Sequence, residues 1–127
     1  MCSSDLAFMW GIAGSLNDDQ IDALAEYYSA KTPRSHSYGD ASARYRGKSI
    51  YEKGLPAQGV PACVTCHGAN GEGVAAFPRL AGQQAPYFVS QMRAFRTNLR
   101  VADIMQPVAR YLTSEDIDAL AAYVRSR

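Results

Sequence analysis

Residues 63–67 read Cys-Val-Thr-Cys-His, and the reading of that pentapeptide decides the fold of the whole chain. C-x-x-C-H is the attachment pattern of a c-type haem. Two thiols three positions apart on one turn can both add to the vinyl groups along a single porphyrin edge. The imidazole of the next residue then lies under the iron. On this reading Cys63 and Cys66 form the thioethers and His67 is an axial ligand. Only three cysteines and two histidines occur in 127 residues, so the pattern is a specific one. Two other uses of the same residues stay open. A redox dithiol of the thioredoxin kind sits in a βαβ setting, and no run here alternates convincingly as a strand. A zinc site needs four ligands; Cys63, Cys66 and His67 with either His36 or Cys2 would supply them, but no second closely spaced pair exists.

Outward from the motif, residues 54–82 hold six of the ten glycines and read mostly as loop. The flanks read as helices. The spacing predicts one from about Ala41 to Lys53, stopped by Gly54 and Pro56. Pro86 opens another, to about Thr97, with Phe88, Met92 and Phe95 on its apolar stripe. Thr113 is the N-cap of a last helix presenting Ile117, Leu120, Ala121 and Val124. Before residue 40, Asn17-Asp-Asp-Gln20 forms a capping box, followed at helical spacing by Ile21, Leu24, Ala25 and Tyr28. Residues 32–39 read as a linker. The chain is expected to be all-α with a large central loop.

Composition bounds the function. At 127 residues there is room for one domain of ordinary size, and 47% hydrophobic residues support a packed core. A net charge of +1 makes no global demand for nucleic acid. No apolar run approaches the ~20 residues of a membrane span, and the opening MCSSDLAFMWGIAG lacks the basic leader of a signal peptide. Charge is uneven: residues 1–31 carry five acidic residues against Lys31 alone, and the remainder is basic.

The second axial ligand has three candidates: Met92, Met105 and His36. Met92 falls between Phe88 and Phe95 at helical spacing, where packing is its expected role. His36 lies in the polar linker ahead of the attachment site. Met105 falls in the stretch before the last helix, beside Gln106-Pro107, where a flexible thioether can reach iron. Met105 is therefore the expected ligand, and methionine/histidine ligation raises the haem potential and suits electron transfer.

With these residues in view, CHGANGEG at 66–73, FPRLAGQ at 77–83, YFVSQMRAFR at 87–96 and the M-x6-L that begins at Met105 resemble class I cytochromes c. The resemblance covers residues 40–127 and is strongest to one haem domain of the bacterial two-haem, c-four type. It implies one covalent haem c and an all-α fold with crossed first and last helices. Gly47 and Tyr51 would lie at that crossing, with Tyr123 opposite. Pro78 falls where the family uses a backbone carbonyl to accept the Nδ1–H of the ligand histidine. Arg79, Gln83 and Tyr87 fall near the haem propionates or rim.

The start of the chain echoes its end. At an offset of 96, nine of the 23 positions from Met9 to Lys31 match Met105 to Arg127, and Met9 precedes Leu16 as Met105 precedes Leu112. Residues 1–31 thus resemble the C-terminal part of a preceding haem domain, with residues 32–39 as linker and 40–127 as the domain that carries haem. Residues 1–6 read as a translated adaptor end. No second C-x-x-C-H accompanies Met9. The apolar face of the helix over 17–30 is expected to want a partner.

The resemblance implies a periplasmic one-electron carrier without a catalytic site. Its partners would be redox proteins such as a terminal oxidase or a respiratory complex, steered to it by Arg79, Arg93, Arg96, Arg100 and Arg110. The alternatives are the cytochrome domain of a larger redox enzyme, and the zinc module.

Overall fold

A computed structural model describes residues 3–32 and 34–127, with side chains from residue 9 onward. Cys2 and the side chains of residues 1–6 lie outside that description. The described chain is helical, with isolated bridges at Leu55–Val60 and Val74–Phe77 and no longer strand. It forms two compact units, residues 1–33 and 34–127.

The first unit holds α1 (Ser3–Gly14) and α2 (Asp18–Ser29). The capping box closes α2 as expected: Gln20 N–H donates to the Asn17 side chain at 2.9 Å, and Asn17 N–H donates to Gln20 Oε1 at 3.0 Å. Such a cap contributes about 1 kcal/mol. Packing contributes little more, since no residue of α2 is buried and Ile21 and Leu24 remain 46% and 42% exposed.

The second unit is built on α3 (Ala41–Lys53), α4 (Val64–His67), α5 (Ala85–Arg96), α6 (Met105–Arg110) and α7 (Ser114–Arg125). Both ends of α3 and α5, and the start of α7, fall within a residue of the sequence reading. Asp40 caps α3 by accepting from Ala43 N–H at 2.7 Å, and Gly54 ends it at a φ of 68°. Helix α7 repeats much of the α2 sequence in a different setting. It packs against both α3 and α5, and Ile117, Leu120, Ala121 and Val124 are at most 2% exposed. Full burial of one such large side chain is worth roughly 1.5–3 kcal/mol, so packing dominates here where capping dominates in α2.

The crossing of α3 and α7 depends on a missing side chain. A Cβ at Gly47 would collide with the Ala119 carbonyl and lie 2.9 Å from the Tyr123 Cβ. Beside it, Tyr51 tilts against Tyr123 with ring centroids 5.2 Å apart. The contact is pinned by a feature the sequence reading did not contain. Asp116, 1% exposed, accepts from Arg46 Nη2 at 2.6 Å, from Thr113 N–H at 3.0 Å and from Thr113 Oγ1 at 2.7 Å.

Three details differ from expectation. The stretch before α7 is not all loop, because Met105 opens the short helix α6. Residues 3–14 form α1, which was not anticipated. The part of the expected linker beyond residue 33 runs along the second unit, where His36 N–H donates to the Arg125 carbonyl at 3.1 Å.

Candidate functional site

The attachment pentapeptide forms one tight turn. Cys63 precedes α4, and its carbonyl accepts from Cys66 N–H at 3.2 Å and His67 N–H at 2.9 Å. Both thiols are free and half-buried. Burial pushes the Cys63 thiol up to about 11, so it is a neutral thiol at physiological pH.

After His67 the chain loops out and returns, and the return sets the imidazole. Gly73 N–H donates to the His67 carbonyl at 2.8 Å, and Leu80 and Ala81 both donate to the Gly71 carbonyl. At Gly73, φ is +84° and a Cβ would sit 2.8 Å from both the Phe77 carbonyl oxygen and Arg79 N, so only glycine lets the two passes lie this close. The result is that His67 Nδ1–H donates to the Pro78 carbonyl at 2.8 Å. The carbonyl can only accept, so Nδ1 carries the proton of that bond and Nε2 is the nitrogen left to face a ligand. His67 is 5% exposed, with the Phe77 ring edge-on at 6.4 Å. Beneath the turn, the Tyr51 hydroxyl donates to the Gly68 carbonyl at 2.6 Å, and burial raises that phenol to about 12.

A cleft opens in front of this loop. It encloses about 920 Å³ of atom-free space, its solvent mouth included. Cys63, His67, Pro78, Arg79, Gln83, Tyr87 and Met105 all line it. Met105 is half-buried against the core. Its approach is tied down, since Gln106 N–H donates to the Ala102 carbonyl at 2.9 Å and the Gln106 side chain donates to Asn98. Met92 is 5% exposed, consistent with packing, and also reaches the wall. Cys66 does not line the cleft, and His36 is exposed away from it.

Two wall residues were missed by the sequence reading. Gln91 and Arg100 face the cleft and join through a bond from Arg100 Nη1 to Gln91 Oε1 at 2.7 Å. Arg100 is thus not simply surface charge. Nor is Arg96, which donates to the Leu112 carbonyl at 3.2 Å.

The donor set suits a haem. Two thiols share a turn with an imidazole whose Nδ1 is committed to a carbonyl, a thioether lines the same cleft, and most of the wall is apolar. Among the described residues, no three His, Cys, Asp or Glu side chains come together as they would around a zinc ion. The fold and site therefore define a small helical protein that carries its haem on a C-x-x-C-H turn. Residues 45–127 match the family model described as cytochrome c, and the chain belongs to that family. Its cofactor is accordingly a covalently attached haem c.

The relatives extend the match to the first unit. The chain is 38% identical over 120 residues to cytochrome c-552 of Acidithiobacillus ferridurans, covering 94% of this chain and 52% of that one. It is 47% identical over 121 residues to the thiosulfate dehydrogenase electron acceptor of Stutzerimonas stutzeri strain A1501, covering 91% and 56%. The solved cytochrome c4 of Acidithiobacillus ferrooxidans superposes with a TM-score of 0.86 at 35% identity, covering 99% of this chain and 75% of that one. These similarities identify the fold as that of class I cytochromes c, of the c4 type. The chain spans little more than half the length of the first curated relatives it matches.

Proposed function

We propose that this chain carries single electrons through its haem c, with Cys63 and Cys66 as the thioether residues and His67 and Met105 as the axial ligands. The observation that carries the reading is the 2.8 Å bond from His67 Nδ1–H to the Pro78 carbonyl, which leaves Nε2 available to a cleft that Met105 also lines. Haem c, when bound, supplies an iron centre that changes by one electron. The chain's residues supply the rest. Pro78 orients the imidazole and raises its basicity. Leu80, Phe88, Phe95 and Leu120 keep water from the cleft, and Arg79, Gln83 and Tyr87 stand at its wall for the rim and propionates. With His67 and Met105 both holding the haem iron, no position would be left to a substrate, and the role would be carriage rather than catalysis.

The partner is a redox protein. The Stutzerimonas relative is by its name the electron acceptor of a thiosulfate dehydrogenase, which supports a dehydrogenase as donor. A location in the periplasm accords with covalent haem attachment. No described helix is long and apolar enough to cross a membrane.

The test is the charge-transfer band of methionine-ligated ferric haem in the near infrared. Met105→Leu is expected to abolish it and Met9→Leu to leave it intact. The reverse pattern would overturn the ligand assignment.

A second reading concerns residues 9–31, which we propose are the C-terminal part of a preceding domain of the same kind. The sequence echo and the exposed apolar face of α2 favour it, since the matching positions Ile117 and Leu120 of α7 are buried while Ile21 and Leu24 are not. Sequencing the genomic locus upstream tests this; a region without another C-x-x-C-H would refute it.

A further inference from the structure

The two ends of α6 are held by different means. At its far end Ala109 and Leu112 are buried, and Arg96 Nη1 donates to the Leu112 carbonyl at 3.2 Å. Met105 opens the near end, which packing leaves loose. Of the residues leading up to it, Leu99, Val101 and Ile104 keep most of their apolar surface in solvent, while Ala102 packs against the core. Ile104 stands at the N-cap with no side-chain hydrogen bond to the helix. Pro107 adds a cost, because a proline disfavours helical backbone in the residue before it, and Gln106 is helical.

A polar tie crosses at this loose end. Gln106 Nε2 donates to Asn98 Oδ1, joining positions eight residues apart on either side of the approach to Met105. Asn98 is itself placed by α5, since its N–H donates to the carbonyl of buried Phe95 at 3.3 Å. Its φ of 62° is left-handed, a conformation that asparagine adopts more readily than most residues. The tie therefore runs from the end of a packed helix to the residue next to the thioether.

We propose that Asn98 and Gln106 are positioning residues that latch the Met105 end of α6, and that their bond sets how often the thioether leaves the iron. This rests on Met105 being the second axial ligand. A thioether is a neutral ligand on a flexible side chain, so its hold on the metal depends on how far the backbone carrying it can move. Opening of the segment breaks the Asn98–Gln106 bond together with the iron–sulfur bond. A hydrogen bond of ordinary net strength changes such an equilibrium about fivefold. The latch thus serves carriage, which needs both axial ligands bound in both oxidation states.

The experiment is stopped-flow binding of imidazole to the ferric full chain, matured with haem and followed by loss of the near-infrared methionine band. An iron–sulfur bond breaks and an iron–nitrogen bond forms, with no change of oxidation state. At saturating imidazole the observed rate is the rate at which Met105 leaves. Asn98→Gly removes the acceptor and suits the φ of 62°, and Gln106→Leu removes the donor. Each is expected to raise the limiting rate about fivefold. The double variant is expected to exceed neither, because all three lose the same bond. Asn98→Asp keeps an acceptor oxygen and should stay near the unaltered rate. Unchanged rates in both single variants, or a double variant whose effect is the product of the two, would overturn the proposal. An unaltered ferric protein without the methionine band would instead overturn the Met105 assignment beneath it.

Discussion

Asp116→Asn tests the join between α3 and α7 on which the haem-bearing unit is built. In the native protein the carboxylate is 1% exposed and accepts three hydrogen bonds, two from Thr113 and one from Arg46. Burial alone would raise its pKa, but the bonds from Thr113 and Arg46 outweigh that and hold it below the ordinary carboxylate value. Breaking a buried ion pair typically costs about 3–5 kcal/mol because a charge is stranded. Here the remaining charge is Arg46, whose side chain is 55% exposed and can return to water. The expected loss is therefore that of charge-assisted hydrogen bonds, about 2 kcal/mol, or roughly 8–16 °C in Tm for a unit of this size. The pH dependence has a definite sign. A carboxylate whose folded pKa is depressed stabilises the protein above its unfolded value of about 3.9, and that contribution is lost as pH falls through the folded value. Thermal melts followed by circular dichroism on the haem-loaded protein should show the full gap at pH 7 and a gap that closes as pH falls below the unfolded carboxylate value of about 3.9. Equal melting temperatures at pH 7, or a gap that persists unchanged in acid, would refute the reasoning.

Gly47→Ala should cost about 3 kcal/mol, the upper end for overpacking, because the obstruction is the Ala119 backbone rather than a movable side chain; urea unfolding measures it, and an unchanged midpoint would contradict the crossing. Tyr51→Phe should cost about 1 kcal/mol rather than more, since Gly68 C=O still accepts from Gly71 N–H at 3.2 Å. With its phenol at about 12 in the folded state, Tyr51 also makes the native protein lose stability as pH rises from about 10 towards 12. That loss should be smaller in Tyr51→Phe, and an identical alkaline unfolding profile would contradict the burial of the hydroxyl.

Local signals account for what was legible in the sequence. The stop of α3 and the starts of α5 and α7 follow from Gly54, Pro86 and Thr113, each of which acts on the backbone beside it. The attachment turn was legible because C-x-x-C-H encodes chemistry at fixed spacing. Helix α6 escaped because six residues are too few to show a period and Pro107 sits within them. Helix α1 escaped because its apolar residues, from Leu6 to Ile12, form no stripe. The Arg46–Asp116 and Arg100–Gln91 pairs were invisible for a different reason, since partners 70 and nine residues apart are joined only by tertiary packing. One clue to the second pair was present. Gln91 falls three positions after Phe88 on the apolar stripe of α5, where a polar side chain needs a partner. Pro78 was placed by resemblance alone, and the reason its carbonyl reaches His67 is the close pass at Gly73.

The covalent haem is the central claim, and the pyridine haemochrome of the purified, haem-matured chain tests it most directly. The expected result is a c-type spectrum, with the haem staying on the polypeptide through acid–acetone extraction and lost from it only when both Cys63 and Cys66 are replaced by alanine. A chain that releases its haem on extraction, or that matures without any, would contradict the account.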